Sequence, residues 1–269
     1  MKRTSFLSVI FVVVILFTAF VLEHSYGDRK KRPMHHEYAN VVINNLSEKN
    51  NIAPVVFNHW LHRAQYSCRL CHVDLKFALK ANSSGITEGA NNKGLFCGAC
   101  HNGKEAFAPE EKGKSAGSSK KNCDRCHSYG KKVTFEKKFY EYTKDLPRAR
   151  FGNGVNWMKA EEDKILALKD EIKGVSAKRS GRDIPGDEEL LPKEQAMPHI
   201  IFSHKKHAVW SGCVLCHPSP FEEKAGATKF TMEQIFSGKY CGTCHGKVSF
   251  PTLDCQRCHL KPTIVKEMK

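Results

Sequence analysis

The chain has 269 residues, of which 41% are hydrophobic, and its mean hydropathy is −0.46. This length allows one large domain or two small ones, and the composition suits a soluble chain with a modest apolar core. The formal net charge of +15 would ordinarily suggest nucleic acid or an anionic membrane as a partner, but no nucleic-acid-binding motif accompanies it.

Residues 1–27 have the pattern of a secretory signal peptide. Two basic residues precede an uncharged run over residues 6–22, and Ser25 and Gly27 are small residues suited to the −3 and −1 positions of a cleavage site. The run is at the short edge of a membrane span. We therefore expect cleavage after residue 27 and a periplasmic or extracellular protein, whereas retention of the run would leave an N-terminal membrane anchor.

The twelve cysteines form six Cys-x-x-Cys pairs, and a histidine directly follows each pair. Cys-x-x-Cys-His is the attachment motif of c-type haem, in which both thiols form thioethers and the histidine supplies one axial ligand of the iron. We expect six covalent haems c, whose carboxylates balance much of the basic excess. The six sites are Cys68/Cys71/His72, Cys97/Cys100/His101, Cys123/Cys126/His127, Cys213/Cys216/His217, Cys241/Cys244/His245 and Cys255/Cys258/His259.

Zinc and redox-active disulfides explain the cysteines less well. Structural zinc requires tetrahedral sets of thiolates and imidazoles. Each half of the chain instead has three Cys-x-x-Cys pairs, each with its own histidine, and this number of ligands fits tetrahedral sites poorly. A redox-active Cys-x-x-Cys belongs in a βαβ setting that the sequence does not suggest. Because six haems would share a short chain, we expect a mostly irregular fold with short helices and long loops around a core formed largely by haem.

The chain repeats itself at an offset of 145 residues. The segment Val56–His62 ahead of the first site corresponds to Ile201–His207 ahead of the fourth, and the later sites also correspond. The main difference is a loop of glycine, serine and lysine at 108–122, which predicts a flexible surface insertion. We therefore predict two three-haem modules, at 28–127 and 197–269, joined by a charged linker at 128–196. Helical spacing over 155–172 predicts one helix in this linker.

Seven histidines lie outside the six motifs and the expected signal peptide: His35, His36, His59, His62, His199, His204 and His207. We take all seven as candidate second axial ligands for six irons. The pairs His59/His62 and His204/His207 recur at the same distances from the first site of each module. Two imidazoles three residues apart on a helical turn share one side and can reach two different haems.

A Phe-x-His-x-x-His segment ahead of a first Cys-x-x-Cys-His site, with further sites close behind, resembles the class III cytochromes c. The resemblance covers residues 55–127 and 199–259 and is greatest to the periplasmic three-haem cytochromes of metal-reducing bacteria. It implies that the first histidine of each pair ligates the first-site haem and the second histidine ligates the second-site haem.

The resemblance also implies a function and partners. It predicts a carrier that transfers electrons in anaerobic or extracellular respiration, and not an enzyme. The expected partners are other redox proteins, namely cytochromes and quinol-oxidising or outer-membrane electron-transfer complexes.

The third site of each module departs from the family pattern, because no histidine lies at 86–96 or 230–240, ahead of the second site. His199 is the natural substitute in the second module, and His35 or His36 in the first. Met232 competes, and methionine ligation would raise the potential of that haem. A vacant position would instead favour a multihaem reductase of a small oxyanion, against which the count of seven spare histidines argues.

Overall fold

The computed structural model describes residues 32–112, 119–129, 135–179, 181–192 and 197–262. The expected signal peptide at 1–27 lies outside these ranges. Within them, no helix has the length and apolarity needed to cross a bilayer. The residues from Met34 onward group into one compact unit, so the two predicted modules pack against each other.

Short helices separated by long loops make up most of the described chain. The α-helices are His59–Arg63, Glu88–Asn92, Cys123–Cys126, Phe135–Thr143, Trp157–Glu162, His204–Ser211 and Met232–Phe236. Single 3-10 turns span His35–Glu37, Glu48–Asn50, Phe96–Ala99, Tyr240–Thr243 and Cys255–Arg257, and one π turn spans Leu70–Asp74. This architecture confirms the predicted fold class.

Seven strands form three small antiparallel sheets in the described ranges. The strands are β1 (Asn40–Ile43), β2 (Val55–Asn58), β3 (Glu110–Lys112), β4 (Ser119–Lys121), β5 (Glu188–Leu190), β6 (His199–Phe202) and β7 (His259–Lys261). Strand β1 pairs with β2, β3 with β4, and β6 lies between β5 and β7. The hairpin β3–β4 occupies the predicted insertion at 108–122, whose residues 113–118 lie outside the described ranges.

The sequence repeat is also a structural repeat. In each module a strand, β2 or β6, leads directly into a helix that begins at the first histidine of the His-x-x-His pair. The third attachment site of each module lies beside the same strand, because Val55 of β2 forms a β-bridge with His127 and Ile200 of β6 pairs with His259. The first and third sites of each module are therefore held together by backbone pairing.

The main hydrophobic cluster lies where the two modules meet. Trp60 and Ala64 come from the first module and Trp210 from the second, and six residues come from between them: Phe139, Leu146, Val155, Trp157, Ala160 and Leu166. The segment predicted as a charged linker therefore supplies most of this core.

The helix predicted over 155–172 is shorter in the structure. It spans Trp157–Glu162 and ends because the backbone N–H groups of Ile165 and Leu166 fold back onto the carbonyl of Ala160, at 2.9 and 3.1 Å. This turn buries Leu166 in the core. A second helix in the same segment, Phe135–Thr143, was not predicted, and it places Phe139 against Trp60 with ring centroids 5.1 Å apart.

Candidate haem-attachment sites

The twelve cysteine side chains range from partly buried to exposed. Burial raises the pKa of Cys71 to about 12 and the pKa values of Cys97, Cys241 and Cys244 to about 11. Reactive and metal-binding cysteines need depressed thiol pKa values, so these environments suit neither thiol redox chemistry nor preformed zinc sites.

One continuous cavity of about 2730 Å³ runs through both modules, and all six attachment sites contribute to its walls. Pockets for one small molecule or cofactor are typically about 300–1,000 Å³. The volume therefore suits several large groups lying close together. The residues that line it are largely apolar and aromatic, as a haem macrocycle requires.

The histidines of the six motifs share one hydrogen-bonding pattern. Each Nδ1 donates to a backbone carbonyl oxygen, which leaves Nε2 free to bind a metal, as is usual for metal-ligating histidines. The pairs and distances are His72–Phe77 2.9 Å, His101–Phe107 3.1 Å, His127–Ala53 2.9 Å, His217–Phe221 2.8 Å, His245–Phe250 3.3 Å and His259–Pro198 2.7 Å. The donor set therefore fits axial ligation of six haems.

The two His-x-x-His pairs follow the same rule. Their Nδ1 atoms donate to carbonyls of Ala39, Asn58, Gly186 and Ser203, at 2.7, 3.0, 3.0 and 2.9 Å for His59, His62, His204 and His207 respectively. These bonds orient all four rings before any metal is bound.

The structure brings the second histidine of each pair opposite the histidine of the second site. The ring centroids of His62 and His101 are 6.5 Å apart, and those of His207 and His245 are 6.2 Å apart. Two imidazoles on opposite sides of one metal, each with a bond of about 2 Å, have centroids roughly 6 Å apart. Both pairs therefore have the spacing of bis-histidine ligation.

Electrostatics link His59 to the first site. The pKa of His59 is lowered to about 4, mainly by burial and to a smaller extent by the nearby charges of His72 and His62. Burial also lowers the pKa of His245 to about 4. These rings therefore stay neutral at physiological pH, the state in which imidazole binds a metal.

A glycine in the spacer of each second site allows a close backbone contact. A Cβ atom at Gly98 would lie 1.8 Å from the carbonyl oxygen of Asn91, and a Cβ at Gly242 would lie 1.8 Å from that of Ile235. Both carbonyls belong to the short helix that precedes the site. The contact sets the cysteine loop directly against this helix in both modules.

The third sites have no histidine pair of this kind. His199 donates to Glu189 at 2.5 Å and is not among the residues that line the cavity. Its neighbour Ile200 pairs with His259, and the register of β6 against β7 shifts between His199 and Ile200. Met232 does line the cavity, as does its counterpart Glu88.

His35 and His36 lie on the 3-10 turn before β1 and are also absent from the cavity lining. The Nδ1 atom of His36 is buried and has no hydrogen-bond partner in the described chain. The ring of His35 lies against Gly154, where a Cβ atom would be 3.2 Å from it.

One phenylalanine in each module contacts both histidines of the His-x-x-His pair, a contact that the sequence analysis did not predict. Phe57 contacts the rings of His59 and His62, at 4.8 and 4.4 Å between centroids, and Phe202 contacts His204 and His207 in the same way. The phenylalanine of the repeated Phe-x-His-x-x-His segment was the available signal.

The family model of cytochrome c7 and related cytochrome c matches residues 55–128 and 200–260. No curated protein matches the chain.

Among solved structures, the chain is 25% identical to the C-terminal and N-terminal hexahaem fragments of GSU1996 and to the dodecahaem cytochrome c GSU1996. The similarity covers 85%, 82% and 86% of this chain, and 98%, 98% and 76% of those chains, respectively. The TM-scores are 0.26, 0.24 and 0.27, too low to support a structural argument.

Proposed function

Because the chain belongs to the family of cytochrome c7 and related cytochromes c, which are electron carriers and not enzymes, we propose that it transfers electrons in anaerobic or extracellular respiration. Each covalently bound haem supplies reversible one-electron exchange at its iron, and the protein supplies position, axial ligands and surroundings. Six such sites around one continuous cavity suit a conduit better than a substrate-binding enzyme.

We propose bis-histidine ligation at four of the six sites. The pairs are His59 with His72, His62 with His101, His204 with His217, and His207 with His245. The observation that supports this most strongly is the repeated spacing of the second-site pairs, 6.5 and 6.2 Å between ring centroids. The Nδ1 bonds of all eight rings to backbone carbonyls support it further, since they leave Nε2 free.

The third sites need a different proposal. For the second module, His199 and Met232 are both candidates: the Nδ1 bond of His199 to the Glu189 carboxylate leaves its Nε2 free, and Met232 lines the cavity. For the first module, His36 is favoured over His35, because its buried Nδ1 has no partner in the described ranges. A His/Met site would have a higher potential than its bis-histidine neighbours.

We also propose that residues 1–27 are removed on export and that the protein works in the periplasm or outside the cell as two three-haem modules, 28–127 and 197–269, joined by 128–196. Redox proteins are its proposed partners: cytochromes and quinol-oxidising or outer-membrane electron-transfer complexes.

Two measurements on the purified holoprotein test these proposals. Intact mass counts the covalent haems and locates the mature N-terminus, for which we expect six haems and a start at residue 28. Low-temperature EPR of the oxidised protein then counts spin states, and we expect only low-spin haems and no binding of carbon monoxide after reduction. A high-spin signal together with carbon monoxide binding would identify a vacant axial position and would favour the reductase instead.

A further inference from the structure

Buried donors without acceptors cluster where the two modules meet. The side-chain nitrogens Nε1 of Trp60, Nε1 of Trp210, Nε of Arg63 and Nε of Arg69 are buried and have no hydrogen-bond partner in the described residues. Tryptophan and arginine side chains are donors only. Buried polar groups are nearly always hydrogen-bonded, so a cluster of unpaired donors indicates an acceptor that the protein itself does not provide.

Arg63 is the central cation of this cluster. Its guanidinium carbon lies over the rings of both Trp157 and Trp210, 5.0 Å from each ring centroid. Its Nη1 donates to the carbonyl of Val248 in the second module, at 2.9 Å. Nη1 thus has an acceptor, whereas Nε has none among the described residues.

No carboxylate of the described chain forms an ion pair with Arg63. Arg69, by contrast, lies 4.0 Å from Asp74 and 3.7 Å from Asp170, which also pair with Arg179. A desolvated cation is costly unless an anion accompanies it. Arg63 therefore lacks the anion that its environment requires.

The internal repeat shows that Arg63 is not part of the general haem-binding design. Its counterpart 145 residues later is Ala208, although both modules have three attachment sites. The cation is thus specific to the contact between the modules, where it lies close to Cys68 of the first module and Cys244 of the second. These two thiols act on the pKa of Arg63, which burial lowers from its usual value.

We propose that Arg63, which contacts the rings of Trp157 and Trp210, is the binding site for a propionate carboxylate of a covalently bound haem, held at the Nε edge of the guanidinium. Arginine and carboxylate form paired, charge-assisted hydrogen bonds, which match the free edge and the missing charge. Arg63 would then be a positioning residue that joins the two modules through the haem carboxylate. The inference rests on covalent haem attachment, and its test also uses the proposed ligation of iron by His59 and His245.

The decisive measurement is the pH dependence of the reduction potentials in the six-haem holoprotein. In the wild type, Arg63 keeps the carboxylate ionised across pH 5–8. In Arg63→Met, which keeps an apolar side chain beside the indoles, the carboxylate loses its cation and its pKa rises. The uncompensated negative charge then favours the oxidised haem at pH 8 and is lost as the carboxylate is protonated at lower pH.

We expect the reduced-to-oxidised ratio of one haem in Arg63→Met to fall about three- to tenfold at pH 8, or roughly 30–59 mV, and to approach the wild-type value near pH 5. The matched control is Arg182→Met, which removes an exposed arginine paired with Glu223 at 3.1 Å and should leave the profile unchanged. Intact mass must show six haems in both variants.

Other groups near Arg63 do not titrate in this range in the holoprotein. Those whose charges interact with it are Tyr38, His59, His245, Cys68 and Cys244. The cysteines become thioethers and the histidines are proposed iron ligands, while burial raises the pKa of Tyr38 above its usual value near 10. A new pH dependence between pH 5 and 8 therefore reports the carboxylate.

Two further results complete the test. Arg63→Lys keeps the charge without the planar fork, so a smaller pH dependence of the same sign is expected. If Arg63→Met or Arg63→Lys has six haems and a pH profile parallel to wild type, Arg63 holds no haem carboxylate. In the wild type, added acetate should leave the potentials unchanged, whereas a shift that depends on acetate would identify a free anion at Arg63 and overturn the proposal.

Discussion

The substitution Gly98→Ala tests how the second attachment site is positioned. Gly98 occupies the spacer between Cys97 and Cys100 and is buried against the end of the Glu88–Asn92 helix. Its φ is not in the left-handed region, so alanine introduces no backbone strain there. The expected effect is therefore purely steric: the added methyl group meets the carbonyl oxygen of Asn91.

The size of the effect follows from the distance. The alanine Cβ would start 1.8 Å from the Asn91 oxygen, and ordinary contact begins at 3.4 Å. The obstacle is backbone and cannot rotate away, so the helix and the cysteine loop must separate. Overpacking of this kind costs about 1–3 kcal/mol, and the severity of this contact places Gly98→Ala at the upper end. For a chain of this size, ~3 kcal/mol lowers Tm by roughly 6–12 °C.

The assay combines intact mass, which counts attached haems, with thermal unfolding followed in the Soret band. Gly242→Ala should behave like Gly98→Ala, because its Cβ would meet the Ile235 oxygen at the same 1.8 Å. Gly89→Ala, in the same short helix, is the matched control: nothing lies within 4 Å of its Cβ, so no loss is expected. A Gly98→Ala protein with six haems and an unchanged Tm would refute the proposed steric origin of this contact.

Three further predictions concern ligands and helix ends. His62→Ala should convert one haem from low to high spin in the EPR spectrum and allow it to bind carbon monoxide, and an unchanged spectrum would rule out His62 as an axial ligand. Thr231→Ala removes the hydroxyl that accepts from the N–H of Gln234, so we expect a loss of about 1 kcal/mol in thermal unfolding, whereas an unchanged Tm would contradict this role of the cap. Burial lowers the pKa of His245 to about 4, so its neutral form persists as pH falls through 6.5. The low-spin absorption spectrum should therefore be intact at pH 5. Conversion to high spin near pH 6 would contradict this.

The attachment motifs and the repeat could be predicted from sequence because both depend on local spacing. Two cysteines, two spacer residues and a histidine define a haem site whatever surrounds them. The pairing of His62 with the second site required more, since His101 lies far along the chain. The family resemblance supplied that pairing, and the structure has the two rings 6.5 Å apart.

The segment between the modules could not be predicted in the same way. Its apolar residues are few and widely separated among charged ones, which is typical of a linker. Their burial depends on distant partners: Phe139 packs on Trp60, and Trp157 shares the Arg63 guanidinium with Trp210. Sequence periodicity reports the shape of one element, and it contains no information about a core assembled from three separate parts of the chain.

At the third sites, a count of histidines leaves the second axial ligand open. Seven spare histidines for six irons suggested that each iron had an imidazole available, but availability also depends on which way a side chain points. On β6, Ile200 pairs with His259, whereas His199 and Lys261 both donate to the carboxylate of Glu189. Met232, at the start of a helix with a Thr231 cap, lies in the cavity wall instead. Which of these two side chains binds the third iron depends on the direction in which each points, and a thioether ligand would raise the potential of that haem.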